Sequence, residues 1–167
     1  MYYYEPMIIR DLYKINLINL DSYTECFDMN YYLKYLQSVD CNQMVVKSKL
    51  SANKNLGFCL GHIKTQACSG FMNTIGLFDT FSKSPHYHIS CITIEPSFRR
   101  LKLAQELMKL MEQNGKILIN TYIDLYVRST NAKALVFYRK LNYKINNKVK
   151  NYYSDPSDDA FVMRKDF

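Results

Sequence analysis

The chain has 167 residues, enough for one domain with a substantial core. Its 48% hydrophobic and 22% charged content is that of an ordinary globular domain, and no apolar run reaches the roughly 18 to 20 residues of a membrane helix. The net charge of +7 admits a nucleic acid, a ribosomal surface or a phosphate-rich ligand as partner, or simply a lysine-rich solvated face.

In chain order, Met7 to Arg10 can form a short edge strand. Asp11 then stands as a candidate N-cap for "LYKINLINL", where Leu12, Ile15 and Leu20 keep near-helical spacing. "MNYYLKYLQ" reads as a second helix with Tyr32, Leu33 and Leu36 on one face. "QMVVKSKL" and "LGFCLGHIKT" read as a strand hairpin around the polar turn "SANKN". Residues 66–85 show no period and read as a long loop or insertion. "HYHISCITIEP" is a strand in which Ile89, Cys91 and Thr93 alternate with Ser90, Ile92 and Ile94. "RLKLAQELMKLMEQN" is a helix with Leu103, Leu107, Leu110 and Met111 aligned, and "KILINTYIDLYVR" is an apolar strand. "NAKALVFYRKLNY" is a helix, and "NYKINNKVKNYY" and "DAFVMRK" close the chain as strands. Helices interleaved with strands make an α/β or α+β domain, a sheet covered on its faces. No linker or internal repeat divides it.

Chemistry-bearing side chains are few. Five cysteines, an odd number with no CxxC pair, indicate neither a disulfide framework nor a zinc site. His62, His86 and His88 have no cysteine companions at metal-ligand spacing. The start, "MYYYEPMIIRDLYK", resembles neither a secretory signal nor a transit peptide, so a cytoplasmic location is expected.

The cations of "FRRLKLA", residues 98 to 104, crowd a predicted helix start, where the dipole disfavours positive charge. Two explanations are open. The charges are simply solvated, or they surround an anion held by the unpaired N–H groups of the helix end, an arrangement suited to a pyrophosphate.

The same stretch resembles the acetyl-CoA pyrophosphate motif of the GNAT acetyltransferases, Arg/Gln-x-x-Gly-x-Gly/Ala. Here it reads Arg99-Arg100-Leu101-Lys102-Leu103-Ala104, with Lys102 in place of the usual glycine. "ITIEPSFRRLKLAQELM", "YIDLYVRSTNAKALVFYRKLNY" and "NYYSDPSDDAFVMRK" are similar to successive segments of the family's N-terminal acetyltransferase branch. "INLINLDSYTECFDMNYYLKYL" is similar to the NatB type within it. The resemblance implies a mixed, mostly antiparallel sheet of about seven strands flanked by about four helices, with a V-shaped splay between strands 4 and 5.

It implies acetyl-CoA as co-substrate, direct attack by a peptide α-amine, and no metal. The backbone of Ile92, Thr93 and Ile94 is expected to pair with the pantetheine arm, and Arg99 to Ala104 to hold the pyrophosphate. His88 is the candidate base; a packed strand histidine is its plainer role. Tyr138 is the candidate proton donor to the leaving thiol, or a core aromatic. Asn131 is expected to contact the cofactor arm or peptide, to cap its helix, or both. Arg128 is expected to pair with a surface carboxylate at most. Glu25 and Phe27 are expected to wall a methionine pocket and hold the amine, with a surface carboxylate as the plainer role of Glu25. His88, Ser90, Tyr152 and Tyr153 are expected to read Asp, Glu, Asn or Gln in the second position of a nascent chain at the ribosome. A large helical-repeat auxiliary subunit of a NatB complex is the implied partner, with no direct nucleic-acid contact. Lys102 is expected to keep an ordinary helical backbone. The competing readings are a NatA-type enzyme and a non-catalytic GNAT-fold binding module.

Overall fold

A computed structural model describes residues 1–15, 18, 27–50, 53–65 and 84–167. Twelve of the elements matter: β1 (Tyr2–Pro6), α1 (Ile9–Ile15), α2 (Met29–Gln37), β2 (Cys41–Ser48), β3 (Lys54–Lys64), β4 (His86–Ile94), α3 (Leu103–Leu118), β5 (Tyr122–Arg128), α4 (Ala132–Lys140), β6 (Lys144–Ser154) and β7 (Ser157–Asp166), with a 3-10 turn at Pro96–Phe98 between β4 and α3. The strands form one sheet in the order β1-β2-β3-β4-β5-β7-β6. All neighbours are antiparallel except β4 and β5.

Each face of the sheet carries helices and an apolar core. On one face Leu103, Leu107, Met108 and Met111 of α3 and Leu135 and Tyr138 of α4 pack on Tyr87, Ile89, Ile123, Leu125 and Met163. On the other, Leu12 and Ile15 of α1 and Tyr31, Tyr32 and Tyr35 of α2 cover Val45, Phe58, Leu60 and Cys91. Among the described residues no helix is long and apolar enough to cross a membrane.

Several expectations from the sequence are corrected. The first strand is Tyr2–Pro6, and Ile9 and Arg10 already belong to α1. Asp11 is therefore not the N-cap. It sits in the first turn and its Oδ2 accepts from the Ile8 N–H at 3.0 Å, the backward half of a capping box. Asp28 caps α2, accepting from Tyr31 N at 2.7 Å. The buried face of α2 is Tyr31, Tyr32 and Tyr35, with Leu33 and Leu36 only half-buried beside it. Met108 rather than Leu110 completes the buried face of α3, which extends to Leu118 and so takes the first residues of the run read as a strand. The suggested insertion at 66–85 lies outside the described residues except for Ser84 and Pro85.

The simple alternation along β4 also fails, for a local reason. Leu60 pairs with Cys91 but Gly61 pairs with Ile89, so Ser90 is an extra residue on β4. This bulge resets the pleat, as bulges near sites do. Ile89 and Ile94 consequently face the α3 core, whereas Cys91 faces α1 and α2.

Candidate active site

The parallel pairing of β4 with β5 is short: Tyr87, His88 and Ile89 oppose Ile123, Asp124 and Leu125. β4 continues to Ile94 and β5 to Arg128, so beyond Ile89 the two strands part and no longer pair with each other. A cleft opens there, lined by Ile89–Ile92 of β4, Leu125–Arg128 of β5, Asn131, Ala134 and Tyr138 at α4, and Tyr153 of β6. Unpaired strand edges present alternating N–H and C=O groups to an extended, amide-bearing ligand.

Just beneath the closed end of the cleft, register partners His88 and Asp124 form a buried pair, Nδ1 to Oδ1 at 2.7 Å. The other oxygen, Oδ2, lies 3.4 Å from His86 Nε2. Burial would raise the Asp124 carboxyl, but the two imidazoles outweigh it and hold it below the ordinary range. Burial, reinforced by Lys64, pushes His88 below its usual value, with Asp124 opposing. The stable state at neutral pH is thus an ionised Asp124 and a neutral His88. A carboxylate only accepts, so His88 Nδ1 carries the proton and Nε2 is left as a lone-pair acceptor. The His88 ring stands edge-on to Tyr126, 5.5 Å between centroids, and Tyr126 stacks on Tyr152 at 4.7 Å.

Tyr138, from the buried face of α4, lines the cleft, and burial raises its hydroxyl far above the usual range. It stays protonated and is a donor. Asn131 caps α4, its Oδ1 accepting from Ala134 N at 3.1 Å, while also lining the cleft. Arg128 makes more than a surface contact. It is buried, donates to the Pro156 and Asp155 carbonyls at 2.7 and 3.0 Å, and lies 4.0 Å from the Tyr153 ring centre. Arg128 therefore ties the β6–β7 turn to β5 and fixes Tyr153 over the cleft.

At the start of α3 the backbone differs from the expectation for Lys102. Its φ is 62° and ψ 9°, the left-handed conformation that glycine adopts without penalty, and Arg100 also has φ 68°. The chain must turn sharply from the 3-10 turn into α3, and the turn imposes this geometry whichever residue is present. Arg99 braces it by donating Nε–H to the Ile94 carbonyl at 3.0 Å. Arg100, Leu101 and Lys102 are exposed, and Leu103 and Ala104 begin the helix. Left-handed residues leading into a helix gather N–H groups into an anion-binding concavity.

The remaining candidates divide. Ile92 lines the cleft, while Thr93 and Ile94 are buried beside it. Ser90 lines the cleft at the bulge. Phe27 stacks on Tyr31 at 4.0 Å, in the α1–α2 layer. Glu25 lies outside the described residues. Sequence reasoning missed Asp124, His62, Tyr35 and Tyr126. A lone carboxylate inside the apolar run "YIDLYVR" is the one signal that pointed to Asp124.

The acetyltransferase (GNAT) family profile matches residues 12–143. The N-terminal acetyltransferase B complex catalytic subunit naa20 of Schizosaccharomyces pombe is 35% identical over 158 residues, covering 93% of this chain and 79% of its own. The structure of Chaetomium thermophilum Naa20 in complex with a bisubstrate analogue is similar at a TM-score of 0.85 and 26% identity, over 99% of this chain and 86% of that one. The NatB acetyltransferase complex bound to CoA and MES matches at a TM-score of 0.73 and 28% identity, over 98% and 97% of the two chains. With its splayed β4–β5 pair and the turn into α3, the chain belongs to the GNAT acetyltransferase family.

Proposed function

We propose that this chain is the catalytic subunit of a NatB-like complex and transfers acetyl from acetyl-CoA to the α-amine of nascent chains that begin Met-Asp, Met-Glu, Met-Asn or Met-Gln. The observation that carries the reading is the cleft between β4 and β5, which has a proton acceptor, His88, buried just beneath its closed end and a proton donor, Tyr138, in its wall. Relatives named as catalytic subunits of N-terminal acetyltransferase B complexes support the reaction type, and the substrate class comes from the resemblance of "INLINLDSYTECFDMNYYLKYL" to the NatB type.

Acetyl-CoA fits this cleft on two features. The free edge of β4 through Ile92, Thr93 and Ile94 suits an extended arm with amides, and the turn from Arg99 to Ala104 suits a pyrophosphate. Bound there, it supplies an activated acetyl group. A peptide α-amine has a pKa near 8 and is mostly protonated at neutral pH. His88 Nε2 takes its proton, directly or through one water, while Asp124 holds the imidazole in the required tautomer. The amine nitrogen bonds to the thioester carbon as the C–S bond breaks, and the Tyr138 hydroxyl protonates the leaving sulfur. Of the two protons the nitrogen loses, the net balance puts one on the thiol and one in solvent.

Phe27, Ser90, Tyr152 and Tyr153 are assigned to the peptide side, with Glu25. The partner is an auxiliary subunit docked on α1 and α2. Ile8, Ile9, Tyr13 and Met29, exposed by 48%, 59%, 78% and 41%, support that surface. The reaction is placed in the cytoplasm, on chains leaving the ribosome. A panel of peptides with acetyl-CoA tests the reading: Met-Asp and Met-Glu peptides are expected to turn over fastest. Preference for Ser- or Glu-starting peptides would replace it with the NatA type, and no turnover with no acetyl-CoA binding would leave a non-catalytic module.

A further inference from the structure

Ser90, in the cleft wall, belongs to a largely buried polar network. Its Oγ contacts the Tyr35 hydroxyl and lies 3.1 Å from His62 Nδ1. The Tyr35 hydroxyl is 2.9 Å from the same Nδ1 and 3.3 Å from the Tyr31 hydroxyl. The direction of these bonds depends on which nitrogen of His62 holds its proton.

Burial, with His88 and Lys64 adding to it, holds His62 well below the usual imidazole range, so the ring is neutral and carries one proton. His62 Nε2 is buried and has no hydrogen-bond partner among the described residues. A proton on Nε2 would be a stranded donor, which is rarer in folded proteins than an unmet lone pair. The proton therefore sits on Nδ1 and is donated to Tyr35 and Ser90. Tyr35, a phenol and a stronger acid than an alcohol, donates its own proton to Ser90. Neither His62 Nδ1 nor Tyr35 is then available to accept from Ser90. Among the described residues the Ser90 proton is then left to the nearby Tyr31 hydroxyl or to an acceptor bound in the cleft that the side chain lines.

We propose that His62 is a specificity-determining positioning residue: through Tyr35 it makes the Ser90 hydroxyl a fixed donor that recognises the side-chain oxygen of the second residue of the bound peptide. Asp, Glu, Asn and Gln share such an acceptor oxygen, and apolar residues lack it. A fixed donor cannot take a proton from the amine, so Ser90 is not the base. This deepens the acetyltransferase reading above and rests on it.

Two measurements test the inference. Long-range nitrogen–proton NMR of histidine-labelled protein reads the His62 tautomer without any activity: the Nδ1–H form is expected, and the Nε2–H form would overturn the proposal. In the peptide assay, the ratio of kcat/KM for Met-Asp over Met-Leu is expected to fall about tenfold or more in His62→Leu, the factor a hydrogen bond to a charged acceptor contributes. Ser90→Ala is expected to lower the ratio equally, the double variant to lower it no further, and His62→Gln, which keeps an N–H donor, to recover part of it. Retained stabilisation by acetyl-CoA shows that each variant is folded. An unchanged ratio in folded His62→Leu and Ser90→Ala, or losses that multiply in the double variant, would overturn the mechanism. If the unaltered protein acetylates no peptide, the acetyltransferase reading falls and this proposal with it, whatever the tautomer.

Discussion

Replacing Lys102 by glycine should make the protein more stable. Lys102 holds φ 62°, where a side chain meets its own carbonyl, and a non-glycine residue there costs about 1–2 kcal/mol. Glycine removes that strain but gives back about 0.4–1 kcal/mol through the freer unfolded chain. The net gain is about 0.5–1 kcal/mol, or roughly 1–4 °C in Tm for a chain of this size. Removing a cation from a helix N-terminus adds a smaller gain. Lys102→Ala is therefore the control, because it removes the charge and keeps the strained backbone. Differential scanning calorimetry of Lys102→Gly against Lys102→Ala isolates the backbone effect, and glycine is expected to be the more stable. The affinity for acetyl-CoA should differ little between the two, since the turn already has the glycine conformation. A glycine variant no more stable than alanine would refute the reasoning, by showing that the turn does not strain its lysine.

The other predictions concern the cleft and its supports. Tyr138→Phe should lower kcat by about 100-fold or more, the low end of what a positioned proton donor contributes, with acetyl-CoA binding retained in a thermal-shift assay. Asp124→Asn should lower turnover and move the acidic limb of the kcat/KM profile to lower pH. The Asp124 charge raises the His88 pKa against burial, so its loss leaves a weaker base; a limb moving to higher pH would contradict the pairing. Thermal stability should fall as pH drops below about 6.5, the unfolded histidine value, because His62 and His88 are both depressed in the fold and resist charging. The decline should be smaller in His62→Gln. Lys47 bridges Asp11 and Glu5 at 2.7 and 2.6 Å, so Lys47→Met should destabilise by about 3 kcal/mol in a urea titration by leaving Asp11 buried without its partner.

Much of the fold could be read from period and punctuation. The existence of the strand 86–94, though not its facing past Ser90, the turn "EPSFRRLKLA" and the helix after it follow from apolar content, Pro96 and 3.6-residue spacing. The ends of elements were less legible. Residues 116–118 are apolar enough for a strand, yet they continue α3 because its last turn still bonds back to Gly115 through Ile119 N–H at 2.9 Å. The bulge at Ser90 had no signal, because it depends on the register of β3, some thirty residues earlier in the chain. The cleft residues Tyr138, Asn131 and Ser90 were visible through family resemblance. Their electrostatic partners were not: Asp124 meets His88 across 36 residues, and His62 meets Ser90 across 28. Such pairs exist only once β3, β4 and β5 lie side by side. Lys102 shows a different limit. Its identity suggested helical backbone, whereas the turn around it dictated the left-handed geometry.

Mass spectrometry of a Met-Asp peptide incubated with the protein and acetyl-CoA tests the central claim most directly. One acetyl group on the α-amine, with an equal amount of free CoA thiol released, is the predicted result. An unmodified peptide in the presence of bound acetyl-CoA, or acetyl found on a lysine side chain instead, would contradict it.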